Sequence, residues 1–174
     1  VGVTGGTVLL KKDNTYAGTT TLSGAATLVA GDGATAGTVG TGNITLGAGT
    51  TLRIDRSDNV TLAQNILGAV SGDGTLAKIN TGTLVLTGTN TYGATSITAG
   101  TLQVGNNTAT GSLGSGNITL TSPAALNVDR TGTLTIAGAF SGDGTFTQAG
   151  AGSTVLTGDS SGTFTGAVNV TGGT

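Results

Sequence analysis

Two Asp-Arg pairs are the residues best suited by type to chemistry: Asp55-Arg56, with Asp58 just beyond, and Asp129-Arg130. Carboxylates grouped beside a guanidinium are what a glycan-cleaving enzyme would use, the acids to move protons and Arg to neutralise substrate charge. The pair returns at the same slot of the next copy, however, while Asp58 gives way to Gly132, so no carboxylate cluster recurs. A periodic surface ion pair accounts for both, contributing about 0–1 kcal/mol. The Gly-Asp-Gly steps at Asp32, Asp73 and Asp143 could suggest calcium-binding glycine-rich nonapeptides, but those need tandem short copies. Asp between glycines is a turn signal instead. Thr19-Thr20-Thr21 hints at an ice-binding row, yet Thr-x-Thr does not return at one slot of every segment. His, Glu and Cys are absent, and there is no nucleophile elbow or P-loop. The expectation is no catalysis, no metal and no cofactor.

The elements that would position these side chains repeat. Gly72 to Val104 is one full motif run, and it restarts at Gly142. A first copy is joined midway at Gly5–Leu22. Leu28 to Ile66 aligns with Leu102 to Phe140 without a gap, with 14 identities in 39 pairs. Apolar swaps at matching slots (Ile54 with Val128, Leu62 with Ile136, Ile66 with Phe140) carry the repeat better than the identities do. Repetition at so long a period implies like units stacked to bury one another's apolar faces. We read one segment, 1–174, with copies at about 1–71, 72–141 and 142–174, the first and last incomplete. The absence of Met suggests a processed chain or a piece of a longer one.

Composition narrows the function classes. Net charge is −2 with six scattered basic residues, which argues against nucleic acid or acidic membranes as charge-bound partners. No apolar run is long enough to span a bilayer as a helix. Charged residues are 8% and aromatics 3%, but strict apolar alternation argues against disorder.

Period-two segments recur at short intervals along the whole chain, among them Thr7–Leu10, Thr27–Ala30, Thr51–Ile54, Thr83–Thr87, Thr101–Val104, Ala125–Val128 and Val168–Val170. Alternation puts the aliphatic set on one face and Thr, Asn or Ser on the other. Strands this short, with Val, Ile, Leu and Ala as the apolar set, suit a solenoid better than a sandwich or propeller. The unit divides into three coils of about 24 residues, giving about seven coils. Aromatics fall on repeat positions: Tyr16, Tyr92 and Phe164 share one slot, Leu76 and Phe146 another. Packing explains them better than a binding platform. Asn14 and Asn90, just before the tyrosines, and Asn43 and Asn117, at strand starts, read as turn residues satisfying backbone groups.

The ordered series Gly72, Gly74, Leu76, Lys78, Gly82, Leu84, Leu86, Gly88, Asn90, Tyr92, Thr95, Ile97, Gly100 and Leu102 resembles the autotransporter-associated β-strand repeat, or passenger-associated transport repeat. Copy one keeps Asn14, Tyr16, Gly18, Thr20 and Leu22; copy three puts Phe146 and Phe164 at the Leu and Tyr slots. Asn80 stands where Gly is usual. The resemblance implies an all-β, right-handed parallel β-helix passenger, exported to the outside of the bacterial outer membrane and associated with secretion rather than catalysis. The expected function is a structural or adhesive stalk segment for surface display, adhesion or self-association, with a host or surface glycan or protein as partner. An extracellular filament subunit and a glycan-acting enzyme using Asp55 and Asp129 are the alternatives.

Overall fold

The computed structural model describes residues 1–69 and 73–174. Gly72, with the copy boundary set there, lies outside the described residues. Among the described residues there is no helix, and every strand pairing is parallel. Parallel partners cannot be joined by a hairpin, so each strand reaches its neighbour only after a full circuit. The result is a β-solenoid with three walls.

The first wall stacks β1 (Gly2–Thr4), β3 (Thr20–Ser23), β5 (Ile44–Leu46) and β8 (Ile66–Gly68), and resumes with β15 (Leu134–Ile136) and β18 (Thr154–Leu156). Irregular segments 89–92 and 111–115 fill the gap between, bonded to Ile66 below and to each other. The second wall is β2 (Thr7–Leu10), β4 (Thr27–Ala30), β6 (Thr51–Asp55), β9 (Thr75–Ile79), β11 (Ala94–Ile97), β13 (Ile118–Leu120) and β16 (Phe140–Gly142). The third starts with segments 12–16 and 36–40, bonded through Asn14 and Thr38. It continues with β7 (Val60–Leu62), β10 (Thr83–Leu86), β12 (Thr101–Thr108), β14 (Ala125–Arg130), β17 (Thr145–Gln148) and β19 (Val168–Val170). On the second wall, seven strands and the Gly142–Phe164 bridge make eight levels, close to the seven or so expected.

Register aligns like with like. Leu28, Leu52 and Leu76 lie rung over rung on the second wall, as do Leu84, Leu102, Leu126 and Phe146 on the third. Each is buried, and the ladders merge into one apolar bore. Truncating such a residue to Ala costs about 2–5 kcal/mol, because the flat rungs above and below cannot collapse into the space.

Coil length is not uniform, contrary to the expectation. The circuit from Thr83 to its partner Thr101 is shorter by a quarter than the one from Thr27 to Thr51. From β2 to its repeat counterpart β10 the chain crosses eight strands and two irregular segments, ten sides of a three-sided tube. Ten is not a multiple of three, so each repeat copy begins one wall further round. Repeat-equivalent residues therefore never stack on one another: Tyr16 is on the third wall, Tyr92 on the first, and Phe164 bridges to the second.

Six strands fall outside the alternating segments read from the sequence, including Thr20–Ser23, Ile66–Gly68 and Phe140–Gly142. Each of these three carries one buried hydrophobic residue, too little alternation to announce a strand. Pro123 occupies the turn position matching Gly49, and the Ser122–Pro123 peptide is cis.

Candidate functional site

The two Asp-Arg pairs sit on outer corners, where strand ends turn from one wall to the next. Asp55 ends β6 on the second wall; Asp129 lies in β14 on the third, three levels further along. At about 4.8 Å per level, roughly 14 Å of stack separates them, so they form no joint carboxylate site.

Neither pair is a surface ion pair between neighbours, contrary to the expectation. Asp55 accepts from Arg53 (3.4 Å) and from the Asn80 amide (3.3 Å). Arg56 turns inward instead and is 5% exposed. Its Nε and Nη2 grip Asp58 at 2.8 and 2.9 Å, its Nη1 reaches Asp13 at 3.1 Å, and Nη2 also donates to the Thr35 carbonyl. The bidentate hydrogen bond to Asp58 raises the Arg56 pKa further and holds the Asp58 carboxyl below its usual range. The physical reason is strand alternation: Asp55 and Arg56 are consecutive, so they leave the strand on opposite sides.

Arg130 repeats the inward turn with different partners. It donates to the carbonyls of Gly111 and Ala109, and its buried Nε has no hydrogen-bond partner. Desolvation by burial lowers its pKa. Asp129 accepts from Gln103 at 3.5 Å. Both arginine stems lie over a glycine that is required. Gly31 (φ +92°) and Gly105 (φ +83°) are left-handed, and a Cβ there would meet the backbone of Asp55 or Asp129 at 2.2 and 2.5 Å.

A buried lysine lies beside the first corner, and the functional reading of the sequence overlooked it. Lys78 is 1% exposed and sits in an aliphatic ladder between Ile54 and Ile97. Its Nζ donates to the carbonyls of Ile79 (2.8 Å), Asn80 (2.6 Å) and Ala99 (3.4 Å), capping the turn from within. Burial pushes its pKa down to about 8. Alternation was the available signal, since Leu76 and Lys78 share the inward phase of β9. The repeat counterpart is Gln148, 2% exposed, which donates to Gly150 and Gly152 and accepts from Thr154. Asn80, at the usual Gly position, takes φ 64°, a conformation Asn tolerates.

The asparagines bond to backbone. Asn90 Oδ1 accepts from the Ile66 amide (2.8 Å) and its Nδ2 donates to the Ser112 carbonyl (2.6 Å); Asn14 makes the corresponding bond to Thr38 (2.8 Å). Asn43 and Asn117 each accept one amide from the next coil, Asn65 at 3.3 Å and Ala139 at 3.1 Å. Tyr92 is fully buried and its hydroxyl meets Thr95 (3.1 Å), whereas Tyr16 is half-buried beside Thr20 (2.8 Å). Burial raises the Tyr92 pKa to about 12. Phe140, Phe146 and Phe164, from three separate repeat slots, converge edge to face at 5.4 and 5.6 Å. Among the described residues no cluster of three or more acids could hold a metal ion.

Across one side of the first wall runs a shallow groove of about 280 Å³, lined by Asn90, Thr91, Ser112, Ser115 and Thr135 among others. It lies where segments 89–92 and 111–115 interrupt the strands.

The passenger-associated-transport-repeat family matches the chain three times, at residues 4–30, 76–104 and 146–174. Over 153 residues the chain is 37% identical to the adhesin BmaC autotransporter of Brucella suis biovar 1 (strain 1330), an alignment covering 76% of this chain. The alignment spans only 4% of that relative's length. No solved structure matches. Each of the three family matches starts one wall further round the same parallel stack. The chain belongs to the passenger-associated transport repeat family, as a structural segment of an autotransporter passenger displayed outside the outer membrane.

Proposed function

We propose that this segment is a non-catalytic, load-bearing section of a surface stalk, contributing to adhesion or self-association. The observation that carries this reading is the apolar bore running from Val3 to Phe146 inside three walls of parallel strands. Force along the axis is shared by many backbone hydrogen bonds, and each coil presents a template for the next. Such templating suits export, because coils can order one at a time as they emerge. A right-handed winding is part of the proposal, since parallel crossovers within one sheet are overwhelmingly of that hand. Deleting the segment from its parent protein should shorten the surface projection by roughly 40 Å, eight levels at about 4.8 Å. Electron microscopy of whole cells reads this directly; a projection of unchanged length would sink the stalk reading.

A further inference from the structure

The repeat builds the same stretch of wall twice, once closed and once open. Gly114, Ser115, Thr135 and Ala137 of the groove match Gly40, Thr41, Thr61 and Ala63 of the first copy, in the gapless alignment of the two blocks. In the first copy the chain closes the place itself: Gln64 Nε2 donates to the Gly40 carbonyl at 3.0 Å, and Gly40 is buried. The position matching Gln64 is Gly138. No side chain fits there, because a Cβ would run into the Gly116 carbonyl. Gly114 is accordingly half-buried rather than buried, and among the described residues no donor reaches its carbonyl. The Thr91, Ser115 and Thr135 hydroxyls beside it likewise make no hydrogen bond among the described residues. Asn90 and Ser112, by contrast, are tied to each other at 2.7 and 2.6 Å and hold the lining in place.

We propose that this groove binds an N-acetylated amino sugar of a glycan, its acetamido N–H donating to the Gly114 carbonyl as Gln64 donates to Gly40. The first copy shows the chemistry the ligand must bring, a planar carboxamide. The acetamido group is the carboxamide that sugars carry, and the exposed Ala137 offers its methyl an apolar contact. Ring hydroxyls both donate and accept, as do Thr91, Ser115 and Thr135. No charged side chain lines the groove, which fits a neutral ligand. At about 280 Å³ the groove is slightly smaller than typical small-molecule pockets, about 300–1,000 Å³, so it seats part of an extended chain rather than enclosing a ligand. The lining offers no aromatic anchor and no free strand edge, which disfavours a peptide. This inference rests on the adhesion reading and deepens it. A failed titration leaves the projection length untouched, and an unchanged projection leaves the titration untouched, so the two failures are told apart.

The test is calorimetric titration of the 174-residue chain with chitotetraose, and with cellotetraose, the same linkage carrying hydroxyls in place of the acetamido groups. Expected is one site per chain and at least tenfold tighter binding of chitotetraose. Gln64→Gly removes the amide that closes the first copy and should raise the count to two sites. Ser115→Leu, at an exposed position, sets an aliphatic side chain where the sugar lies and should abolish binding. It also keeps the test valid if Gln64→Gly fails to fold. Equal binding of the two tetrasaccharides, no binding of chitotetraose, a folded Gln64→Gly chain with a single site, or undiminished binding by Ser115→Leu would each overturn the proposal. Equal or tighter binding of the peptide Gly-Gln-Gly would also overturn it, in favour of a carboxamide side chain on a protein partner.

Discussion

The corner holding Arg56 and Lys78 and the corner holding Arg130 and Gln148 come from the same stretch of repeat, three coils and one wall apart. The first is densely charged: two buried cations, with Asp13, Asp55 and Asp58 around them. The second keeps one arginine, one carboxylate and a neutral amide in the lysine's slot. Both corners turn correctly. The backbone carbonyls left bare by the turn need a donor reaching up from inside, and either an ammonium or an amide will serve. What differs is how the guanidinium is satisfied: the charged corner closes on two carboxylates, and the neutral one on two backbone carbonyls, with Nε buried and unpartnered.

That contrast is open to direct attack. The largest effect belongs to what the corners share. Gly31→Ala and Gly105→Ala should each cost about 2–4 kcal/mol in urea unfolding, by the left-handed strain and the backbone overlap together (roughly 1 and 1–3 kcal/mol). A tolerated alanine at either would mean the corners are not built alike. Next comes the pH dependence of the charged corner. Lys78 has a folded pKa near 8 against 10.5 unfolded, so between those values the unfolded state holds more protons. Stability should therefore rise with pH from about 8 to 10.5, by up to roughly 3 kcal/mol. Lys78→Gln should flatten that rise, and a persisting rise would place its origin elsewhere. Tyr92 opposes it above pH 10, where only the unfolded chain loses the phenolic proton. Third, Arg56→Gln should destabilise by about 2–4 kcal/mol and Arg130→Gln by about 1–2, because only the first leaves carboxylates without their buried partner. Equal losses would erase the distinction between the corners. Smallest, Gly132→Asp should stabilise by no more than about 1 kcal/mol, since the new carboxylate is half in water.

Much of this molecule is legible in its residues, and the limits are specific. Leu28, Leu52, Leu76 and their neighbours alternate with Thr so regularly that strand, apolar face and stacking all follow. Strands with one buried hydrophobic residue, such as Ile66–Gly68, were not legible, because pairing to neighbouring coils rather than local alternation makes them strands. The recurrence of Asp-Arg was visible, but its partners were not. Asp13 lies 43 residues before Arg56 and meets it only because two coils bring it to the same corner. The pairing of Lys78 with Gln148 was readable as an alignment, yet only burial reveals that both cap carbonyls from the bore.

Local alternation and motif order were sufficient to determine an all-β chain, its apolar faces and its family resemblance, because those depend on side-chain period alone. The one-wall advance of each repeat was decided in three dimensions. It depends on the summed lengths of ten sides closing around a three-sided tube, a quantity no short stretch of residues contains. The same summation chose which acids reach Arg56 and left Arg130 without one.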